Sequence, residues 1–199
     1  MYLTQNGKLK KTSKKHGKRV FNFGIPALTD PESGKRTCPF AGSCAKFCYA
    51  QKGAYIWSNV KPAFKRRYEL TKSDDFVSTI SAEITRRKLT HLRIHDSGDF
   101  YSPKYINKWY EVMALHPDII FYAYTKSVPL FIDTKLPSNF VLRYSEGGTH
   151  DHLIDTDKHH HARIFDNLED LLAAGYVDAS DDDLVAADPS IKKLGLILH

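Results

Sequence analysis

The sequence predicts an α/β fold, a partial or small (β/α) barrel of about six mostly parallel strands. Two observations lead to this prediction. Stretches rich in β-branched and aromatic residues alternate along the chain with stretches of helical periodicity, which is typical of βαβ units around a parallel sheet. Polar and glycine residues also collect where several of these strands end, and ligands bind at that edge in α/β sheets and barrels.

The predicted strands are spaced along the whole chain. The first, 19–28, is rich in β-forming residues and ends at Gly24 and Pro26. The stretch 90–100 is predicted as a second strand that runs into a glycine-containing turn. The remaining strands are predicted at 118–127, 139–148, 161–167 and 192–199.

Helices are predicted between these strands. The stretch 61–88 holds one or two of them, with Asp74 or Asp75 as N-cap of the second and apolar residues at helical spacing after it. Ser102 and Pro103 supply an N-cap and a first helical residue for a helix over 102–117. A further helix is predicted over 168–176.

Length and charge predict a single domain with a basic tail. The 199 residues suit one α/β domain over 20–199, preceded by a flexible tail over 1–19. Residues 8–19 carry seven lysines and arginines and no acidic residue, within a formal net charge of +6. Such a run is able to neutralise the phosphates of nucleic acid, whereas the simpler interpretation is a solvated tail that keeps the protein soluble.

The composition argues against a membrane or secreted protein. No apolar run approaches the roughly 20 residues needed to cross a bilayer, and no hydrophobic stretch follows the basic N-terminus. The three cysteines are an odd number, which argues against a disulfide framework. We therefore expect a protein of the reducing cytoplasm, where thiols persist.

All three cysteines lie in one stretch, "TCPFAGSCAKFCYA" at 37–50, directly after the first strand. Cys38, Cys44 and Cys48 are spaced C-x5-C-x3-C in a loop rich in proline and glycine, and no partner pair follows. Three thiolates in one loop favour a soft metal. The stretch is therefore the candidate metal-binding loop.

Three chemistries are compatible with this spacing. In the first, the cysteines bind three irons of a [4Fe–4S] cluster and leave the fourth iron open to a small molecule, water or a non-cysteine ligand. In the second, they bind zinc, which needs a fourth ligand from elsewhere. The third is three buried cysteines without a metal. His95, followed by Asp96, is the candidate fourth ligand or cluster neighbour, because both follow the second strand.

Several motifs together resemble a known family. An aromatic residue, Phe47, precedes the last cysteine, and "SGDF" at 97–100 follows the second strand, as in the radical S-adenosylmethionine (radical SAM) superfamily. More closely, "CPFAGSCAKFCYAQKGAY", "RIHDSGDFYS" and "YAYTKS" resemble the gene product eighty-eight family of small bacteriophage proteins, which is similar to radical SAM proteins. The resemblance covers roughly residues 20–148.

The resemblance implies a radical SAM-like barrel in the host cytoplasm. It implies that the three cysteines bind a [4Fe–4S] cluster, with S-adenosylmethionine as a possible second cofactor at the open iron. Ser97, Gly98 and Asp99 are then expected to contact that ligand, and Lys126 and Arg143 to meet a carboxylate or phosphate. The radical SAM spacing is C-x3-C-x2-C with Glu at the acidic position, whereas this chain has a wider spacing and Asp99.

An alternative function stays open at this point, and so does the question of whether the chain is an enzyme. In this alternative, the chain is a zinc-stabilised, non-catalytic phage protein that contacts nucleic acid or a host protein through its basic surface. Tyr49, Tyr55 and Trp57 follow the cysteines and either shield a cluster from water or belong to the core.

Overall fold

A single sheet of seven strands, all pairs of which are parallel, organises the chain. The computed structural model describes residues 1–198. The strands are β1 (Val20–Phe23), β2 (His91–Ile94), β3 (Ile120–Thr125), β4 (Phe140–Ser145), β5 (His161–Phe165), β6 (Val177–Asp178) and β7 (Lys193–Ile197). Their order is β1-β2-β3-β4-β5-β7-β6, and the sheet curls into half a barrel.

This architecture confirms the predicted α/β partial barrel. Six of the strands fall inside the predicted stretches. The seventh, β6, was not predicted, because two residues carry no periodic pattern. The last predicted stretch, 192–199, contains β7, and its final residue, His199, lies outside the described residues.

The helices are α1 (Gly7–His16), α2 (Lys61–Lys72), α3 (Phe76–Arg87), α4 (Pro103–Leu115) and α5 (Leu168–Ala173). The stretch 61–88 therefore holds two helices. Helix α4 begins as predicted, because the Ser102 side chain accepts a hydrogen bond from the Tyr105 amide. Asp75 occupies the N-cap position of α3 without a side-chain hydrogen bond to the helix.

One face of the sheet packs against α2, α3 and α4. Alternate strand residues, such as Leu92 and Ile94, join the buried aromatic residues of the helices in one apolar cluster. Trp109 is completely buried there, with its ring edge-on to Phe23 and Phe76 at centroid distances of 5.3 and 5.1 Å. Because the helices cover this face of the sheet, the carboxyl ends of the strands and the loops that follow them lie at the open edge of the half barrel.

The other face is covered by α1 and by a short 3₁₀ helix, Asp183–Ala187. The Asp183 carboxylate is fully buried and accepts from Arg93 Nη1 at 2.9 Å, with Lys8 Nζ at 3.2 Å. Burial alone raises the pKa of Asp183, but the charges of Arg93 and Lys8 outweigh it and hold the pKa below its ordinary value. The face of the sheet that carries Arg93 is therefore filled by an internal ion-pair cluster.

The segment 1–19 is ordered, which corrects the prediction of a flexible tail. Thr4 pairs antiparallel with Asn22, and Glu83 accepts from the amides of Tyr2 and Leu3 at 2.8 and 2.9 Å. Leu3 and Leu9 are completely buried. The prediction weighed the lysines of this segment and overlooked its few apolar residues, which suffice to dock a ten-residue helix.

Among residues 1–198, no helix is long and apolar enough to cross a membrane.

Candidate metal centre

The cysteine loop leaves the carboxyl end of β1 and folds back on the residues it has just left. The Cys38 amide donates to the Leu28 carbonyl at 3.2 Å, and the Leu28 amide donates to Cys38 Sγ at 3.3 Å. The Thr37 hydroxyl donates to the Pro26 carbonyl at 2.6 Å. Amide donors to sulfur stabilise a thiolate, which is the form that binds metal.

A second loop, 146–152 after β4, holds the cysteine loop in place. The Gly147 carbonyl accepts from the amides of Gly42 and Cys44, both at 3.1 Å. The Asp151 carboxylate fixes this second loop by accepting from the amides of Gly147 and Gly148 at 2.7 and 2.9 Å. The sequence analysis counted this strand end among the polar and glycine-rich ones but did not predict that its loop contacts the cysteine loop.

The close approach of the two loops requires glycine. A Cβ atom on Gly42 would lie 2.8 Å from the backbone carbon of Gly148 and 2.9 Å from the Gly147 carbonyl oxygen. Gly147 has a φ of +102°, which side chains rarely adopt. The contact between the loops is therefore made by backbone on both sides.

The turn 97–99 lies beneath the cysteine loop. The Asp99 amide donates to the Thr37 carbonyl at 3.0 Å, one residue before Cys38. Gly98 has a φ of +78°, and a Cβ there would lie 2.3 Å from Ile25 Cγ1. The Ser97 carbonyl accepts from the Ile25 amide at 3.0 Å. These contacts make the turn a support for the loop.

Asp99 has both carboxylate oxygens engaged. Oδ1 accepts from the Thr125 hydroxyl at 2.6 Å and from the Phe100 amide at 2.7 Å, and Oδ2 accepts from the Lys126 amide at 2.9 Å. Burial raises the pKa of Asp99 despite these hydrogen bonds. The carboxylate thus joins the ends of β2 and β3.

The three thiols are electrostatic neighbours. Burial, with smaller contributions from Asp99, Cys48 and Cys44 and against the Leu28 hydrogen bond, raises the pKa of Cys38 to about 12. Cys38 therefore keeps its proton at neutral pH until a cation arrives. A metal bound at this thiol would supply that cation and displace the proton.

Lys126 is the predicted ligand-binding residue that lies beside the thiols. Its side chain is half-buried and lies over the 146–152 loop. A Cβ atom added to Gly147 would be 3.2 Å from Cys44 Cβ and 3.5 Å from Lys126 Cε, so the side chains of Cys44 and Lys126 border the same glycine. The ammonium donates to the Ser145 hydroxyl at 2.9 Å. Within the described residues, no carboxylate lies within 4 Å of it, so Lys126 is a cation able to meet an anion.

Arg143 is placed elsewhere, which corrects its predicted role in ligand contact. The side chain is completely buried on the face that the Asp183–Ala187 helix covers. Its guanidinium makes four hydrogen bonds, to the carbonyls of Val185, Ala186, Asp188 and Ile191. Arg143 therefore secures the segment 185–191.

His95 is buried against residues of the apolar core, whereas Arg93 faces Asp183 on the other side of the sheet. Its φ of +65° turns the backbone at the end of β2, and its ring packs edge-on against Phe100 at 4.6 Å. Nε2 is 3.0 Å from the Tyr105 hydroxyl, and burial lowers the pKa of His95 to about 3. The other ring nitrogen, Nδ1, has no hydrogen-bond partner among the described residues.

Asp96 is tied to the residues that follow Cys48. Its carbonyl accepts from the Tyr49 hydroxyl at 2.5 Å, and Oδ2 is 3.4 Å from the Tyr55 hydroxyl. Burial raises the pKa of Asp96, against the charge of Arg93, and Oδ1 has no hydrogen-bond partner. Asp96 thus lies beneath the end of the cysteine loop, as a neighbour of the candidate centre.

Three cysteine thiols are donors that suit a soft metal, but the described residues do not arrange them around one metal position. Cys38, Cys44 and Cys48 are free, partly exposed thiols on one loop. Within residues 1–198, no group of three or more His, Cys, Asp or Glu side chains is arranged to hold a metal ion. Binding of one metal group by all three sulfurs would therefore require this loop to rearrange.

Comparison with known proteins gives the family. The family model described as gene product 88 matches residues 1–196. The chain is 32% identical to the gene 88 protein of Mycobacterium phage L5 over 123 residues, and 30% identical to that of Mycobacterium phage D29 over the same length. These matches cover 55% of the chain and 52% and 51% of the relatives.

The chain thus spans about half the length of the curated relatives it matches. No solved structure matches it. Because the family model covers nearly the whole sequence, the chain belongs to the gene product 88 family of bacteriophage proteins.

Proposed function

We propose that this chain is an iron–sulfur protein in which Cys38, Cys44 and Cys48 bind a [4Fe–4S] cluster and leave one iron open, as in radical SAM proteins. The observation that supports it is the position of the thiols. Every cysteine of the chain lies on one loop beyond the carboxyl end of β1, and that loop is bonded to the loops after β2 and β4. Ligands of parallel α/β folds bind at this edge.

The surrounding residues suit a negatively charged group. The Leu28 amide hydrogen bond to Cys38 Sγ supports a thiolate, and the Lys126 ammonium lies on the Cys44 side without a carboxylate partner among the described residues. Lys126 is then available to the carboxylate of a small molecule at the open iron, S-adenosylmethionine being the proposed one. When bound, the cluster supplies one-electron chemistry, while the protein orients the ligand and excludes water.

The test is anaerobic reconstitution of the full chain with iron and sulfide. We expect a brown protein with broad absorption near ~400 nm and about four irons per chain. Cys44→Ser is expected to lose most of this iron, whereas Ser43→Ala, on the next residue, is expected to retain it. Colourless protein with one zinc per chain would replace the proposal with the zinc-stabilised module, and protein that binds neither metal would refute both.

The open iron is tested separately, on the reduced, loaded protein. Addition of S-adenosylmethionine is expected to change the electron paramagnetic resonance signal, and Lys126→Met is expected to weaken the response to the ligand without loss of iron. An unchanged signal at saturating ligand would leave the cluster in place and remove S-adenosylmethionine from the proposal.

A further inference from the structure

The exposed aromatic rings of the protein are concentrated in one short segment. Among residues 1–198, the aromatic side chains with large exposure are Phe47, Tyr49 and Trp57, which are 64%, 56% and 60% exposed. The other tryptophan, Trp109, is completely buried. Nothing in the proposed iron–sulfur chemistry requires three rings to face solvent.

Internal contacts hold part of this segment in place. The Tyr49 hydroxyl donates to the Asp96 carbonyl, so its polar end is anchored while its ring faces outward. The Tyr55 ring lies edge-on to Tyr49 at 5.6 Å and stacks on buried Phe64 at 5.7 Å. The Tyr49 ring is therefore presented in a fixed orientation, which reduces the entropy lost when a planar ligand stacks on it.

The same part of the chain is purely basic. Residues 33–68 contain no Asp or Glu and eight basic residues, namely Lys35, Arg36, Lys46, Lys52, Lys61, Lys65, Arg66 and Arg67. Lys65 pairs with Glu32, and Arg67 is buried and donates to the Tyr2 carbonyl. Lys46, Lys52 and Lys61 are exposed and form no ion pair within the described residues.

We propose that the aromatic–basic surface, made of Phe47, Tyr49 and Trp57 with Lys46, Lys52 and Lys61, binds single-stranded nucleic acid. Aromatic rings bind bases by stacking, which needs bases that are not already paired, and lysines neutralise the phosphates between them. The segment consists of 3₁₀ turns of three to five residues, unlike the long amphipathic helix with which proteins lie on membranes. This surface is distinct from the basic segment 1–19, and the proposal does not depend on the cluster.

The two tryptophans allow a direct test on the full chain. A mixed-sequence 20-nucleotide DNA or RNA strand is expected to quench the emission of exposed Trp57, leaving the emission of Trp109 as an internal reference. Trp57→Ala is expected to raise the dissociation constant about tenfold in fluorescence anisotropy, and Trp57→Phe, which keeps a ring, to raise it less. Lys46→Ala with Lys52→Ala is expected to weaken binding and lower its salt dependence.

Matched variants show whether this surface is responsible. Leu172→Ala removes an apolar side chain of similar exposure on α5, and Lys10→Ala removes an exposed lysine of α1; both are expected to bind the strand as the parent chain does. Thermal unfolding measured for each variant separates a binding defect from a folding defect.

Four results would overturn the proposal. The first is no binding of the strand at low salt. The second is equal affinity for duplex DNA or heparin with no quenching of Trp57, which would indicate a purely electrostatic surface. The third is binding lost in Lys10→Ala and retained in Trp57→Ala. The fourth is binding to phosphatidylglycerol–phosphatidylcholine vesicles without binding to the strand, which would assign the rings to a lipid surface.

Discussion

Gly42 determines how closely the cysteine loop approaches the 146–152 loop. Its backbone meets the carbonyls of Gly147 and Gly148 at a distance that leaves no room for a methyl group. Glycine at this position therefore lets the backbones of the two loops touch directly.

We expect Gly42→Ala to push the two loops apart and to reduce the iron bound per chain several-fold, with only a small loss of thermal stability. The reason is that the obstructing atoms are backbone, which cannot rotate away as a side chain does. Iron content after anaerobic reconstitution and thermal unfolding measure the two effects.

Gly7→Ala is the control, because a Cβ there meets nothing within 4 Å. Full iron loading in Gly42→Ala would contradict the importance of this loop contact.

Individual site residues were predictable to different degrees. The cysteines and Lys126 were predicted from residue chemistry at strand ends; in the structure Lys126 lies beside Cys44, and the three thiols are neighbours on one loop that forms no metal-holding group within residues 1–198. Arg143 and His95 were misplaced, because the carbonyls that bind Arg143 come from residues more than 40 positions later. A positive φ at His95 also reversed the alternation of β2, and strand periodicity does not predict such a reversal.

At the scale of elements, α1 shows how few apolar residues are needed to order a basic segment. Leu9 and Thr12 are buried on one side of the helix, and the lysines around them face solvent or acidic partners. The helix ends at Gly17, whose φ of +62° suits a C-cap glycine. The capping signals were present in the sequence, but the lysine run suggested a solvated tail.

We predict that Leu9→Ala lowers the free energy of unfolding by about 2–4 kcal/mol, because Leu9 is completely buried between α1 and the sheet. Chemical denaturation followed by circular dichroism measures this change. If residues 1–19 were a flexible tail, Leu9→Ala would leave the free energy of unfolding unchanged.

Lys10→Ala, at the neighbouring exposed position, is expected to change stability by less than about 0.5 kcal/mol. A loss of similar size in both variants would indicate an effect of helix propensity and not of burial.

At the scale of the whole molecule, the alternation of strands and helices was predictable because each βαβ unit repeats the same local pattern. The contacts that fill the face covered by α1 and the Asp183–Ala187 helix were not predictable. The pairing of Arg93 and Lys8 with Asp183 joins residues 90 and more positions apart, and only the curled sheet brings them together. Long-range charge pairing of this kind leaves no periodic trace in the sequence.

Acid sensitivity is also a property of the whole fold. Burial, together with the charges of Lys18 and His16, lowers the pKa of His91 at the start of β2 to about 4. The folded protein therefore keeps His91 neutral, while the unfolded chain takes up a proton near pH 6.5. Stability contributed by the neutral ring is present above about pH 6.5 and is lost as pH falls towards about 4.

We expect His91→Gln to flatten the pH dependence of unfolding between pH 6 and 4.5 by at most about 1.4 kcal/mol per pH unit, the value for one proton. Denaturant unfolding at a series of pH values measures the slope. Exposed His152→Gln serves as the control, and equal slopes in the parent and His91→Gln would contradict the assignment.

The contact between α1 and the Asp183–Ala187 helix also bears on the order in which contacts form during folding. Lys8 and Asp183 are 175 positions apart, whereas α1 also packs against β1, which follows it directly. Because contacts of high sequence separation form late, we expect α1 to pack first on β1 and to meet Asp183 after the sheet has formed. The loops of the candidate metal centre all lie between residues 24 and 153, so the thiol site is able to assemble before the Asp183–Ala187 helix covers its face of the sheet.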